Sequence, residues 1–252
     1  MPKYIYNVKP SPPDARDIVY EVSEKAILPT KVDLSSEMPP VLDQKALGSC
    51  ALNATSNILR HLLKVEKLPE IQPSRLYLYY NTRVLIAGDS AKEDTGCILR
   101  DVCKAVQKYH ACEEKVWPYI IPKFSKAPPL TAYKNAELHR QVKYVRVPLV
   151  LDTIKQLVFN KTPILIGVAV YESFETNEAI SSGDIPMPDP KTEKMLGGHA
   201  IVLCGYDDDT QRFTIQNSWG TGVGKKGFFT LPYDYVLDPN LAGDFWAFTL
   251  FK

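Results

Sequence analysis

Three residues in this chain, Cys50, His199 and Asn217, have the types that nucleophilic catalysis requires. Cys50 lies in "DQKALGSCALNATSNILRHLL", where a polar, glycine-bearing turn runs straight into an amphipathic pattern. A thiol reacts as its thiolate, and a free cysteine with a pKa near ~8.5 is mostly protonated at neutral pH. The first turn of a helix shifts that balance, because its unpaired N–H groups and the positive end of its dipole favour an anion. Gly48 and Ser49 keep the preceding turn slim, so a substrate could approach the sulfur. A nucleophile also needs a base and a group that orients the base. Of the four histidines, His61, His110 and His139 sit among polar or charged neighbours and read as surface residues. His199 instead opens the apolar run "HAIVLCGY", directly after "LGG". Gly198 beside it carries no side chain, which leaves room for a substrate backbone. The next run, "FTIQNSWG", ends in Asn217, and two neighbouring strands would set Asn217 beside His199. Each piece also has a plainer reading: a free cysteine is commonly a small buried hydrophobe, and "NSWG" is a turn with a packed tryptophan.

The elements that must position these residues divide along the chain. Residues 1 to about 35 are proline-rich and read as an extended arm. From Ser49, a natural N-cap, the apolar residues Ala51, Leu52, Ile58, Leu59, Leu62 and Leu63 recur at three- and four-residue spacing and predict a long helix. Further helices are expected after Pro73, over 98 to 110, and through "LDTIKQLVFN". Strands are expected at 163–171, 199–206, 212–218, 226–231 and 245–251, separated by Gly, Asp and Pro turns. Helices clustered early and strands clustered late predict an α+β protein with two lobes.

Composition narrows the function. With 252 residues, 45% of them hydrophobic, the chain can bury a substantial core. Thirty Lys and Arg against 29 Asp and Glu leave a net charge of +1 and no basic block, so no nucleic-acid partner is expected. The longest apolar run, "ILIGVAVY", is far shorter than the ~20 residues of a membrane-crossing helix. The N-terminus lacks the apolar stretch of a secretory signal, and five cysteines form an odd set. Both predict a reduced, intracellular setting such as cytoplasm or virion, without disulfides. No Cys/His spacing resembles a zinc site, and the acids Asp207 to Asp209 read as a solvated turn, so no metal is expected.

"QKALGSCA" resembles the Gln-x-x-x-Gly-Ser-Cys motif of papain-like cysteine proteases. "GGHAIVLCGYD" and "NSWGTGVGKKGFF" are similar to that family's histidine and asparagine strands, and "WPY" at Trp117 to Tyr119 is similar to its exit from the helical lobe. The likeness covers roughly residues 32 to 250. It implies a two-lobed papain-like fold, with a helical lobe over about 45–120, an antiparallel, barrel-like β lobe over about 121–252, and a cleft between them. It implies a monomeric peptidase that acts on peptides or proteins without a cofactor. Under it Cys50 is the nucleophile, His199 its base and later acid, and Asn217 the orienting group. Gln44 joins the Cys50 N–H in an oxyanion hole, and Trp219 shields the His–Asn pair. Gly48, Gly96, Gly198 and Trp219 are the candidates for substrate contact, Gly96 because the usual glycine pair is replaced by "GCILRD".

The departures from the family carry expectations of their own. Leu47 stands where the family has a cysteine bonded to one near Cys97, so that brace is missing. Ala51 replaces the usual aromatic residue after the nucleophile. His199 and Asn217 lie 149 and 167 residues beyond Cys50, at or past the usual ~130–150. Only about thirty residues precede "VDLSS", which is similar to a mature N-terminus, and "KPSPPDARDIVY" with "DFWAF" looks more like bacterial and large-DNA-virus members. The arm, residues 1–31, is expected to pack on the enzyme and partly cover the cleft. The same acyl-thioester chemistry could serve transfer or removal of a protein modifier, and a non-catalytic binding protein on this fold is the remaining alternative.

Overall fold

The structure, a computed structural model, describes residues 4–22, 26–139 and 141–250. Helix α1 (Cys50–Val65) runs through the centre of the molecule. Thirteen of its sixteen residues are buried, so it meets protein on nearly every side. Its inward polar groups therefore need partners: Asn53 Nδ2 donates to Ser49 O at 2.9 Å, and Asn57 Nδ2 donates to Gln216 Oε1 at 2.9 Å. Ser49 occupies the N-cap position, but its side chain does not cap the helix. Its hydroxyl lies 2.6 Å from that of Tyr119, the tyrosine of "WPY". The second helix is shorter than its pattern predicts. α2 (Arg75–Tyr80), capped by Ser74, passes into a π turn over Asn81–Ile86, and α3 (Leu99–Tyr109) follows.

The rest of the chain builds one antiparallel sheet. Its strands are β1 (Lys31–Asp33), β2 (Val142–Arg146), β3 (Ile164–Tyr171), β4 (Met195–Asp207), β5 (Arg212–Gln216), β6 (Phe228–Pro232) and β7 (Ala242–Leu250). The order is β2-β7-β3-β4-β5-β6, with β1 added to β4. β3 reads as an unbroken apolar run because it is enclosed on both faces. Helices α4 (Leu130–Ala136) and α5 (Leu151–Phe159) precede β2 and β3, while α6 (Asn177–Ser182) and α7 (Tyr233–Leu237) lie in later connections. Phe251, at the end of the last expected strand, lies outside the described residues.

Two registers place the chemistry. Val168 of β3 faces His199, and Val202 of β4 faces Gln216, so the end of β5 delivers Asn217 to the start of β4. Helix α1 packs on β4 and brings its first residue to the same point. Among the described residues, no helix is long and apolar enough to cross a membrane.

Candidate active site

Cys50 begins α1 and is fully buried. Its thiol lies against the backbone N–H groups of Ala200, Ala51 and Cys50 itself, which favour the thiolate, but burial outweighs them and pushes the thiol up to about 11. The Ala200 contact sets the sulfur beside the strand that carries His199. His199 is also fully buried, and burial pulls its imidazole down to about 4 against the opposing hydrogen bond from Asn217. In this conformation both groups are therefore neutral over the middle of the pH range.

Asn217 settles the tautomer of that ring. Its Oδ1 accepts the Ser218 N–H at 2.8 Å, which fixes the amide's orientation, and lies 2.8 Å from His199 Nε2. A carbonyl oxygen only accepts, so Nε2 carries the proton and Nδ1 keeps its lone pair. Nδ1 is buried without a hydrogen-bond partner among the described residues. Trp219 stacks on the same imidazole, with ring centroids 5.4 Å apart and planes 27° from parallel.

Gln44 is completely buried and held at both ends of its amide. The Ser218 hydroxyl donates to its Oε1 at 2.7 Å, and its Nε2 donates to Leu47 O at 3.1 Å. The main chains are joined as well, Gln44 N to Ser218 O at 2.9 Å. The Leu47 bond engages one of the two Nε2 protons. Ser218 is a site residue that sequence reasoning passed over, although it stands inside "NSWG".

The arm fills the space above these groups. Val8 N donates to Gly198 O at 3.1 Å and Lys9 N donates to Cys97 O at 3.2 Å. A β-carbon on Gly48 would meet the Asn7 side chain, and one on Gly96 or Gly198 would meet the carbonyl oxygen of Asn7 or Val8, at 2.2–2.3 Å. Of the three glycines singled out from the sequence, Gly96 and Gly198 thus lie under the arm's main chain and Gly48 under its Asn7 side chain. Tyr4 stacks on Trp219 at 4.5 Å with parallel planes, Tyr6 meets His199 edge-on at 5.5 Å, and the Tyr6 hydroxyl donates to Glu175. Neither tyrosine was singled out beforehand, yet the alternation of Tyr4, Tyr6 and Val8 is a strand signal.

Two sequence expectations need correction. His61 is not a surface residue: it is buried on α1 with Nε2 3.0 Å from Lys161 O, because α1 is enclosed on the face that carries it. The acids at 207–209 are not simply solvated either. Asp207 pairs with Lys31 at 2.8 Å and Asp208 with Lys155 at 2.6 Å, tying β1 and α5 to the β4 turn. All five cysteines are free and buried.

The model of the papain family cysteine proteases matches residues 28–237. An uncharacterized peptidase C1-like protein of Acanthamoeba polyphaga mimivirus is 34% identical, over 94% of this chain and 84% of its own length. Xylellain, a cysteine protease from Xylella fastidiosa, is 36% identical and superposes with a TM-score of 0.91, covering 99% of this chain and 97% of its own. Procathepsin B from Trypanosoma congolense shares the fold at 15% identity, with a TM-score of 0.74 over 98% of this chain and 86% of its own. The α+β fold is papain-like, with bacterial and viral relatives, and the chain belongs to the papain family of cysteine proteases.

Proposed function

We propose that this cysteine protease hydrolyses peptide bonds through an acyl-thioester on Cys50, and that the arm holds it latent until it lifts. The observation that carries the reading is the His199 Nε2–Asn217 Oδ1 contact of 2.8 Å, which leaves Nδ1 as the ring's one basic nitrogen, on the strand whose Ala200 N–H meets the Cys50 thiol. Nδ1 takes the Cys50 proton and the sulfur attacks the scissile carbonyl carbon. The carbonyl electron pair moves to oxygen, where Gln44 Nε2–H and the Cys50 N–H receive it. One such donor typically supplies ~3–4 kcal/mol. Collapse expels the amine, which takes the proton from Nδ1 and leaves the acyl-thioester. Water then attacks, returns a proton through Nδ1 to the sulfur, and releases the acid.

The arm supports the location of the substrate, because Gly198 O and Cys97 O already accept the N–H groups of an extended backbone. Beside them lies a cavity of about 600 Å³, lined by Val168, Ala169, Leu241, Phe245 and Asp244 and flanked by the arm at Val8 to Ser11. An apolar side chain of the substrate fits these walls.

The test pairs the full chain with one lacking residues 2 to 22. The shorter chain is expected to cleave members of a mixed peptide pool faster, to be labelled on Cys50 alone by an epoxide thiol probe, and to lose turnover with Cys50→Ala. Turnover that survives Cys50→Ala would overturn the mechanism. Labelling of Cys50 without hydrolysis, but with transfer of an acyl group to an added amine, would redirect the reading to acyl transfer.

A further inference from the structure

We propose that Asp94 is a positioning residue of this peptidase, a carboxylate brace that holds the Gly48–Cys50 turn against the edge on which the substrate backbone lies. The inference rests on the function proposed above. Two separate segments must keep a fixed spacing for that chemistry: the turn that presents the nucleophile, and the Gly96–Cys97 edge whose carbonyl accepts an extended chain. Leu47 and the five free cysteines show that no disulfide sets that spacing.

A polar chain through Asp94 does so. Oδ2 accepts the Gly48 N–H at 2.9 Å, across 46 residues of sequence. Oδ1 accepts the hydroxyl of Tyr79, a completely buried residue of α2. The Tyr79 oxygen in turn accepts the Gly96 N–H at 3.3 Å. Asp94 O accepts Asn7 Nδ2 at 2.9 Å, so the residue also touches the segment now occupying the cleft. Hydrogen bonds to a carboxylate are shorter and stronger than neutral ones, and a pair on one carboxylate fixes orientation as well as distance. The nucleophile turn, the α2 core and the substrate edge are thereby joined at one side chain.

The charge and the brace act on Cys50 in opposite senses, which separates them by experiment. The negative charge of Asp94 opposes formation of the Cys50 thiolate, whereas the brace keeps that sulfur in place. The variants are made in the full chain carrying Tyr4→Ala and Tyr6→Ala, which weaken the arm's hold. Asp94→Ala removes both functions; Asp94→Asn removes the charge but keeps an acceptor for Gly48 N–H. With Asp94→Ala, kcat/KM is expected to fall on the order of tenfold to a hundredfold, the scale of a small misplacement of reacting groups. Asp94→Asn should restore most of it. In both variants, alkylation of Cys50 should begin at lower pH than in the parent.

An Asp94→Ala enzyme with the parent's kcat/KM, or an Asp94→Asn enzyme as impaired as Asp94→Ala, would overturn the brace. A parent without peptidase activity would instead sink the functional reading. The brace then remains measurable as faster exchange of the Gly48 amide in Asp94→Ala than in Asp94→Asn, and equal exchange would overturn it. If Asp94→Ala does not fold, the same comparison is made between Asp94→Asn and Asp94→Leu, with the outcomes read in the same way.

Discussion

Ser218 holds the carbonyl end of the Gln44 amide, and under the proposed mechanism the consequence is measurable. Its hydroxyl donates to Oε1 at 2.7 Å, so the amide cannot rotate without losing a buried hydrogen bond. Ser218→Ala leaves that amide held by Leu47 O alone and its Oε1 unpaired. The expected result, in a chain without the arm, is a kcat roughly tenfold lower with KM little changed, since the hole acts on the transition state more than on the bound substrate. Ser218→Thr should recover most of the rate. A fall in KM-limited binding with kcat intact would remove Ser218 from this role. At this scale the sequence was informative because chemistry restricts residue types: Cys50, His199, Asn217 and Gln44 are all buried, with His199 against Asn217 and Gln44 against its neighbour Ser218. Asp94 was not legible, because an acid carries no signature of a contact made 46 residues away, and Tyr79 reads only as one more core aromatic.

The arm has almost no structure of its own and borrows it from the elements it crosses. Val8 and Lys9 bond to the cleft walls, and Tyr20 N donates to Arg146 O on β2 at 2.8 Å. Between them Arg100 of α3 grips the arm, with Nε and Nη2 on the Asp17 carboxylate at 2.8 and 2.6 Å and Nη1 on Pro12 O at 2.5 Å. Both partners of the ion pair are under a tenth exposed, so removing one leaves the other buried without its counter-charge. Hydrogen bonds to charged groups are worth roughly 1.5–3 kcal/mol. Asp17→Ala should therefore raise the turnover of the full chain by about tenfold or more, while the catalytic centre is untouched. The control is the chain lacking residues 2 to 22, whose rate sets the ceiling; a variant no faster than the full-length parent would show that this clamp does not restrain the arm. Periodicity predicted α1, α3, α5 and five strands because their apolar faces are buried in the body. It missed β1 and β2, which are short and half exposed, and it could not place an arm whose register is set by Gly198 and Cys97 rather than by its own pattern.

Across the whole molecule, closing the arm moves a proton within the buried pair rather than exchanging one with solvent. In the closed form burial holds the Cys50 thiol at about 11 and the His199 imidazole at about 4. Between those values the pair carries one proton, on sulfur. A thiolate–imidazolium pair in the open form also carries one, on His199, so opening exchanges no proton with solvent and the arm's equilibrium should be flat in this range. Replacing Cys50 by Ala breaks that symmetry. The open imidazole then titrates near its ordinary ~6.5, while the closed one stays depressed. The sign follows from linkage: the open form binds a proton that the closed form does not, so closure is fully stable above about 6.5 and weakens as pH falls toward about 4. Each pH unit inside that window shifts the balance by up to about tenfold. Tryptophan fluorescence reads the result, because Tyr4 unstacks from Trp219 when the arm lifts. Cys50→Ala is expected to open on acidification where the parent does not. Opening of the two proteins at the same pH would dismiss the buried pair as the switch.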